Sequence, residues 1–318
     1  MRFYFLATLA SATVVQAGEY YGVSSLYSFD LHAANNIDWM ASIPDNIPMS
    51  SLSIPGTHNS VNYATGQRQL QCQNNDLEEQ FKAGIRYLDI SARADPFWEL
   101  LKVYGTGGRL DYSVANIFIS AADFVEQHPG ETIIMHVNND RMRSSDDATF
   151  EKCMTKYFKS SNMMSDKVKD RLYTPDHNNV FSIPTMGEIR GKIVILEDFA
   201  TKTPGRFGIP WKSSEVIVTD VKLPITHINM LYTWNKVKSA LKDTRKDKTK
   251  KLHITHMNAA PGSIAAHAAG GTTTMGKGLN DRLGERLKAG KVGRTGVVVM
   301  DFPGRFLVEQ IIGLNKLG

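Results

Sequence analysis

The chain has 318 residues, 42% hydrophobic and 22% charged, with a formal net charge of +5. That is globular composition, which excludes a disordered chain, and the length suits a single α/β barrel. No run has the unbroken apolar length of a membrane span. The mild basic excess is compatible with an anionic lipid surface, and no nucleic-acid partner is expected.

In chain order, residues 1–17 read as a signal peptide. Arg2 supplies the charged start, the run to Val15 the apolar centre, and Ala17 the small residue before a cut. A buried N-terminal helix is the other reading. With the leader removed, residues 18–318 are expected to form one secreted, extracellular domain that acts as a monomer. The chain has two cysteines, Cys72 and Cys153. An exported chain favours one disulfide between them; two free thiols are the alternative. The densest basic stretch, 242–251, is broken by Asp243 and Asp247 and reads as a solvated helix end and loop.

Strand-like runs alternate with helical ones, the pattern of a parallel sheet wrapped by helices. The strand candidates are Leu52–Ile54, Arg86–Ile90, Leu101–Tyr104, Thr132–Val137, Lys192–Leu196, Val216–Thr219, Leu252–Thr255 and Thr295–Met300. Helices are expected over Leu77–Ala83, Ile117–Gln127, Ala148–Phe158, Thr233–Leu241, Leu279–Ala289 and Phe306–Leu314. The fold class expected is α/β, an irregular (β/α)8 barrel, because the early strands are unevenly spaced. In a barrel the site gathers at the strand C-terminal ends. Those ends carry His58-Asn59, Ser91 to Arg93, Tyr104, Asn138, Asp198, Asp220, His256 and Asp301.

Several blocks then carry a resemblance. Leu52-Ser-Ile-Pro-Gly-Thr-His-Asn-Ser60, Ala83-Gly-Ile-Arg-Tyr-Leu-Asp-Ile90, Pro129-Gly-Glu-Thr-Ile-Ile-Met135, Arg190-Gly-Lys-Ile-Val-Ile-Leu196 and Gly296-Val-Val-Val-Met-Asp301 resemble, in order and spacing, bacterial-type phosphatidylinositol-specific phospholipases C. The resemblance implies a distorted barrel of the phospholipase C-like phosphodiesterase type. It also implies a phosphoric diester hydrolase that uses one histidine as base and a second as acid. Imidazole suits both tasks near neutral pH.

On that resemblance His58 stands at the base and Asp301 at the carboxylate that orients it. Other positions depart from the pattern. Asn59 replaces an aspartate, Ser91 a phosphate-binding arginine, Tyr104 the acid histidine, Asn138 a lysine and Asp198 another arginine. Arg93 matches a second arginine and is the best remaining phosphate contact. Tyr104 is the candidate acid, although a phenol is poorly matched to that task. Asn59, Asn138, Asp220 and His256 complete the expected substrate-binding set. His136 and His256 are further histidines within reach of the pocket, with a structural role as the alternative for each. Asn59 and Asp89 resemble two calcium ligands of eukaryotic members, but one carboxylate among neutral oxygens makes a poor calcium site, so no cofactor is expected. Phe97-Trp98 and Trp211 are candidates for contact with a phospholipid or membrane surface, or else for packing under loops. A weak or inactive relative that binds a phosphorylated head group or a surface partner is the competing reading.

Overall fold

The computed structural model describes residues 25–65, 67–95, 97–140, 147–160 less its last residue, 166–176, 179–260 and 263–316. The expected leader, 1–17, lies outside the described residues.

Eight strands run parallel in one curled sheet. They are β1 (Ser53–Thr57), β2 (Tyr87–Asp95), β5 (Thr132–Asn139), β6 (Lys192–Asp198), β7 (Ile209–Pro210), β8 (Val216–Thr219), β9 (Leu252–Met257) and β12 (Gly296–Met300). Their order is β7-β6-β5-β2-β1-β12-β9-β8. Among the described residues β7 and β8 do not pair, so the barrel is open at that seam. Two short strands, β10 (Gly271–Thr272) and β11 (Gly276–Lys277), form a separate ribbon.

The expected barrel strand at Leu101–Tyr104 is placed differently. As β3 (Leu100–Gly105) it folds back antiparallel on β2, and β4 (Gly108–Ser113) pairs with it in turn. β2 is long enough to outrun the rim, and its free end offers an edge to the returning chain. The eighth place in the barrel falls to the two-residue β7, whose Pro210 suits the edge of a sheet.

The helices are α1 (Leu77–Ala83), α2 (Val114–Gln127), α3 (Asp147–Lys159), α4 (Asp166–Arg171), α5 (Met186–Ile189), α6 (His227–Lys246), α7 (Ala265–Gly270), α8 (Leu279–Lys288) and α9 (Arg305–Gly313). Local chemistry sets several ends. The Asp76 carboxylate accepts the Glu79 N–H at the start of α1, and Gly84 closes it with φ 109°. Ser113 and Asn116 form a reciprocal cap on α2. No helix among the described residues is long and apolar enough to cross a membrane.

Ile54, Tyr87, Ile134, Val194, Leu252, Ile254, Val297 and Val299 belong to one buried cluster, contributed by facing strands of the barrel. Gly56 is required there, because an added Cβ would lie 2.8 Å from the Tyr87 ring. A second cluster joins β2, β3 and β5 to α1, α2 and α3. Cys153 on α3 lies in that cluster, whereas Cys72 packs with Phe29, Ala259 and Phe302. Both are buried free thiols, which corrects the expected disulfide: the two side chains belong to different parts of the core.

The barrel floor is tied by a fully buried ion pair. Arg86 Nε donates to Glu131 Oε2 at 2.8 Å, and its other nitrogens donate to the carbonyls of Phe81, Ile85 and Ile37. Glu131 also accepts the Ala41 N–H. The shared arginine and glutamate of the Gly-Ile-Arg and Pro-Gly-Glu blocks are therefore structural.

Candidate active site

β1 and β12 are parallel neighbours, with Thr57 opposite Met300. The residue after each strand is then brought together. His58 N–H donates to Met300 O, continuing the ladder by one step. The His58 Nδ1 lies 2.8 Å from Asp301 Oδ1, and Asp301 Oδ2 accepts the Ala259 N–H at 2.7 Å. Asp301 is fully buried while 17% of the His58 side chain is exposed. With Nδ1 held by the carboxylate, Nε2 is the nitrogen left for chemistry.

The rest of the Pro-Gly-Thr-His-Asn-Ser turn is pinned by its own side chains. Ser60 Oγ donates to Thr57 O and accepts the Asp89 N–H. Gln73 Nε2 donates to the carbonyls of both His58 and Met300. Asn59 adopts φ 43°, a left-handed conformation that asparagine tolerates better than most residues. Its amide faces Cys72 Sγ and Thr106 Oγ1.

Burial alone would lower the His58 pKa. The Asp301 charge and hydrogen bond, with a smaller contribution from Cys72, outweigh it and hold the imidazole well above its usual 6.5. Cys72 Sγ, a ring nitrogen of His58 and a carboxylate oxygen of Asp301 all lie within 4.8 Å of one another.

Beside this dyad the barrel mouth holds an open pocket of about 1270 Å³. Asn59, Cys72, Asp89, Ser91, Arg93, Tyr104, His136, Asn138, Asp198, Trp211, Asp220 and His256 all line it. Of the strand-end residues singled out in the sequence, Asn59, Ser91, Arg93, Tyr104, Asn138, Asp198, Asp220 and His256 converge on this cavity, while His58 and Asp301 stand next to it and are not part of its lining. Their partners decide what each can do. Ser91 and Tyr104 are opposite one another on β2 and β3. The Arg93 guanidinium lies 3.9 Å over the Tyr104 ring and pairs with Asp140 at 2.7 Å. Asn138 Nδ2 donates to Ser91 Oγ, which joins two of the positions where the phosphate cations of the resembled family stood. Asp220 pairs with Lys222 at 3.4 Å.

His136 sits between two carboxylates, with Nδ1 2.8 Å from Asp89 and Nε2 3.4 Å from Asp198. Its ring stacks on Trp211 at 3.9 Å. Burial lowers its pKa, but Asp198 and Asp89 together raise it to about 9. Burial likewise pushes Asp89 up, and the His136 bond and charge reverse that and hold it below the usual carboxylate range. His256, whose Nδ1 meets Asn258 Oδ1 at 3.0 Å, is held below its usual value by burial, against the pull of Asp89 and Asp220.

Two residues carry more at the site than the sequence reading assigned to them. Trp211 is the stacking wall of His136, so its place is inside the pocket. Cys72, treated as half of a disulfide, stands at the dyad; no spacing rule connects it to His58, because the intervening loop is irregular. Among the described residues the three-member group of metal-ligating side chains is His58, Cys72 and Asp301.

Known proteins resemble this chain in sequence and fold. Residues 45–198 match the model of the phosphatidylinositol-specific phospholipase C X domain. A 1-phosphatidylinositol phosphodiesterase of Listeria monocytogenes is 28% identical over 301 residues, covering 87% of this chain and 84% of that protein. One from Staphylococcus aureus is 23% identical, covering 97% of each. The solved phosphatidylinositol-specific phospholipase C of Listeria monocytogenes superposes with a TM-score of 0.70 at 25% identity, covering 89% of this chain and 100% of that one. Residues 45–198 therefore belong to the phosphatidylinositol-specific phospholipase C X-domain family, within a chain that is similar over nearly its whole length to the bacterial-type members.

Proposed function

We propose that the chain is a phosphoric diester hydrolase of phospholipase C type, acting on phosphatidylinositol-like lipids outside the cell once residues 1–17 are removed. The observation that carries this is the 2.8 Å His58–Asp301 bond, with its carboxylate fully buried, beside an open pocket at the barrel mouth. In this reading His58 Nε2 takes the proton from the attacking hydroxyl. Asp301 keeps Nδ1 protonated and stabilises the imidazolium that forms. Arg93 faces the developing charge on phosphorus. Its Nε is buried without a hydrogen-bond partner, so a bound oxygen that reached it would satisfy that N–H. Tyr104 donates to the leaving oxygen. His136 is a worse donor than its raised pKa suggests, because both of its nitrogens already face carboxylates.

Lipid access has support at the rim. Phe97 is 80% and Trp98 65% exposed at the tip of the β2–β3 hairpin. Ile228 and Tyr232 are exposed in the first turns of α6, the helix that follows β8 and so begins at the same end of the barrel. We assign these to the membrane surface. A solved Staphylococcus aureus relative, 21% identical, is described by its modulation of membrane binding.

A second reading has an observation of its own. The Ser91–Asn138 bond and the Arg93–Asp140 pair tie up groups that could otherwise meet a phosphate, as in a weak enzyme or a head-group binder. One experiment separates the two. The purified protein is given phosphatidylinositol vesicles and a small activated phosphodiester, beside His58→Ala. Turnover of both substrates, reduced about 10²–10⁴-fold in the variant, is expected. Failure to turn over either one, with saturable binding of inositol phosphate, replaces the hydrolase by the binding protein.

A further inference from the structure

The phosphodiester chemistry uses His58 and Asp301 but leaves Cys72 without a task. The residue is only 2% exposed, yet it lines the pocket and its Sγ touches Asn62 Nδ2 and Thr106 Oγ1, each at 3.4 Å. Neither contact needs sulfur: a serine hydroxyl would serve both better.

We propose that Cys72, His58 and Asp301 form a binding site for a thiophilic divalent cation of the zinc class, and that occupancy removes the base from the reaction. The shutdown rests on the hydrolase reading; the binding itself does not. The three ligand types are a soft thiolate, a borderline imidazole and a carboxylate, the set zinc prefers over calcium or magnesium. Their atoms lie within 4.8 Å of one another. Ligands around one tetrahedral zinc are roughly 3.5 Å apart, so side-chain shifts of about an ångström close the site. Cys72 lines the pocket, from which water can supply a fourth ligand. The protein already holds its ligands from behind. Asp301 is steadied by the Ala259 N–H, and Gln73 fixes the carbonyls of His58 and Met300. Such outer contacts orient metal ligands and raise affinity.

On binding, the Cys72 thiol loses its proton to solvent and the sulfur lone pair forms the metal bond. The metal also takes a His58 ring nitrogen, so the imidazole has no lone pair for the substrate hydroxyl. Nothing in this step is oxidised or reduced. The site is then an off-switch set by free zinc, built from the base itself.

The test uses the full-length purified protein, stripped with chelator and titrated with Co²⁺ as the spectroscopic probe. A near-ultraviolet thiolate-to-cobalt charge-transfer band should appear at one equivalent and be displaced by Zn²⁺. It should vanish in Cys72→Ser, weaken by about tenfold or more in affinity in Asp301→Asn, and persist in Cys153→Ser. Cys72→Ala serves as the second variant if serine disturbs the fold, as checked by circular dichroism. Zinc should also inhibit turnover, with the half-inhibitory concentration raised at least about tenfold in Cys72→Ser relative to that variant's own metal-free rate. Absence of the band in wild type, or a band that survives both Cys72 variants, overturns the site. Because the band is read without substrate, an inactive protein that still shows it would sink the hydrolase reading and leave the metal site standing.

Discussion

At His58 two opposing forces act on one proton. Burial favours the neutral ring, and the Asp301 carboxylate favours the charged one; the carboxylate wins, with Cys72 adding to it. A base must start neutral, so a raised pKa places its working range on the alkaline side of 6.5. The rate on a soluble diester should therefore rise with pH through neutrality and level off only above it. In Asp301→Asn the limb should move to lower pH while the plateau falls. A wild-type limb at or below 6.5 would contradict the pairing. His136 carries a separate expectation, for stability. Its folded pKa is raised to about 9, so its contribution is complete below the unfolded value of 6.5 and is lost as pH rises through 9. Asp89 describes the same pair from the other side: its pKa is depressed, so that contribution is present above the unfolded value and lost as pH falls. The difference in melting temperature between wild type and His136→Gln should be greatest between the unfolded Asp value of 3.8 and the unfolded His value of 6.5, and shrink toward about pH 10.

Between elements, the Arg86–Glu131 pair joins the start of β2 to the segment entering β5 and to the chain at Ala41. Burial works against the charge on both partners, lowering the arginine pKa and raising that of the glutamate, while their mutual attraction opposes it. Removing one partner leaves the other buried and uncompensated. Glu131→Gln should cost about 3 kcal/mol or more in denaturant unfolding, with the native far-ultraviolet spectrum retained. A loss within experimental error would mean that water reaches Arg86. This scale is also where the sequence speaks unevenly. The runs at Thr132–Val137, Lys192–Leu196 and Thr295–Met300 are β-branched and bounded by turn residues, so β5, β6 and β12 were legible to within a residue or two. Leu101–Tyr104 was legible as a strand but not as an antiparallel one, because apolar alternation carries no direction. β7 has two residues, too few for any period. The dyad was legible from the family resemblance, and its two members also from standing at strand ends; the parallel pairing of β1 and β12 is what brings those ends together. Cys72 was not, since its place depends on a loop whose path no local pattern encodes.

For the molecule as a whole, the question is how one pocket at one end of a barrel meets a lipid surface. The exposed Phe97 and Trp98 project from the β2–β3 hairpin, beyond the rim that holds the dyad. Ile228 and Tyr232 stand on α6 at the same end. A net charge of +5 adds attraction to anionic lipid, but it acts over about a Debye length, roughly 8–10 Å at ordinary ionic strength. The two contributions separate by salt. Binding to vesicles containing phosphatidylinositol should weaken as salt rises, then level off at the apolar contribution. Full burial of one large side chain is worth about 1.5–3 kcal/mol, so even partial insertion of two predicts at least a tenfold loss of vesicle affinity in the Phe97→Ala/Trp98→Ala double variant. The rate on the small soluble diester should stay at the wild-type value, because neither ring touches the dyad. Equal losses on both substrates would instead mean that the hairpin holds Tyr104 and Arg93 in place, since β3 carries one and β2 the other. Sedimentation of vesicles with the two proteins, across a salt series, distinguishes a membrane anchor from a pocket wall.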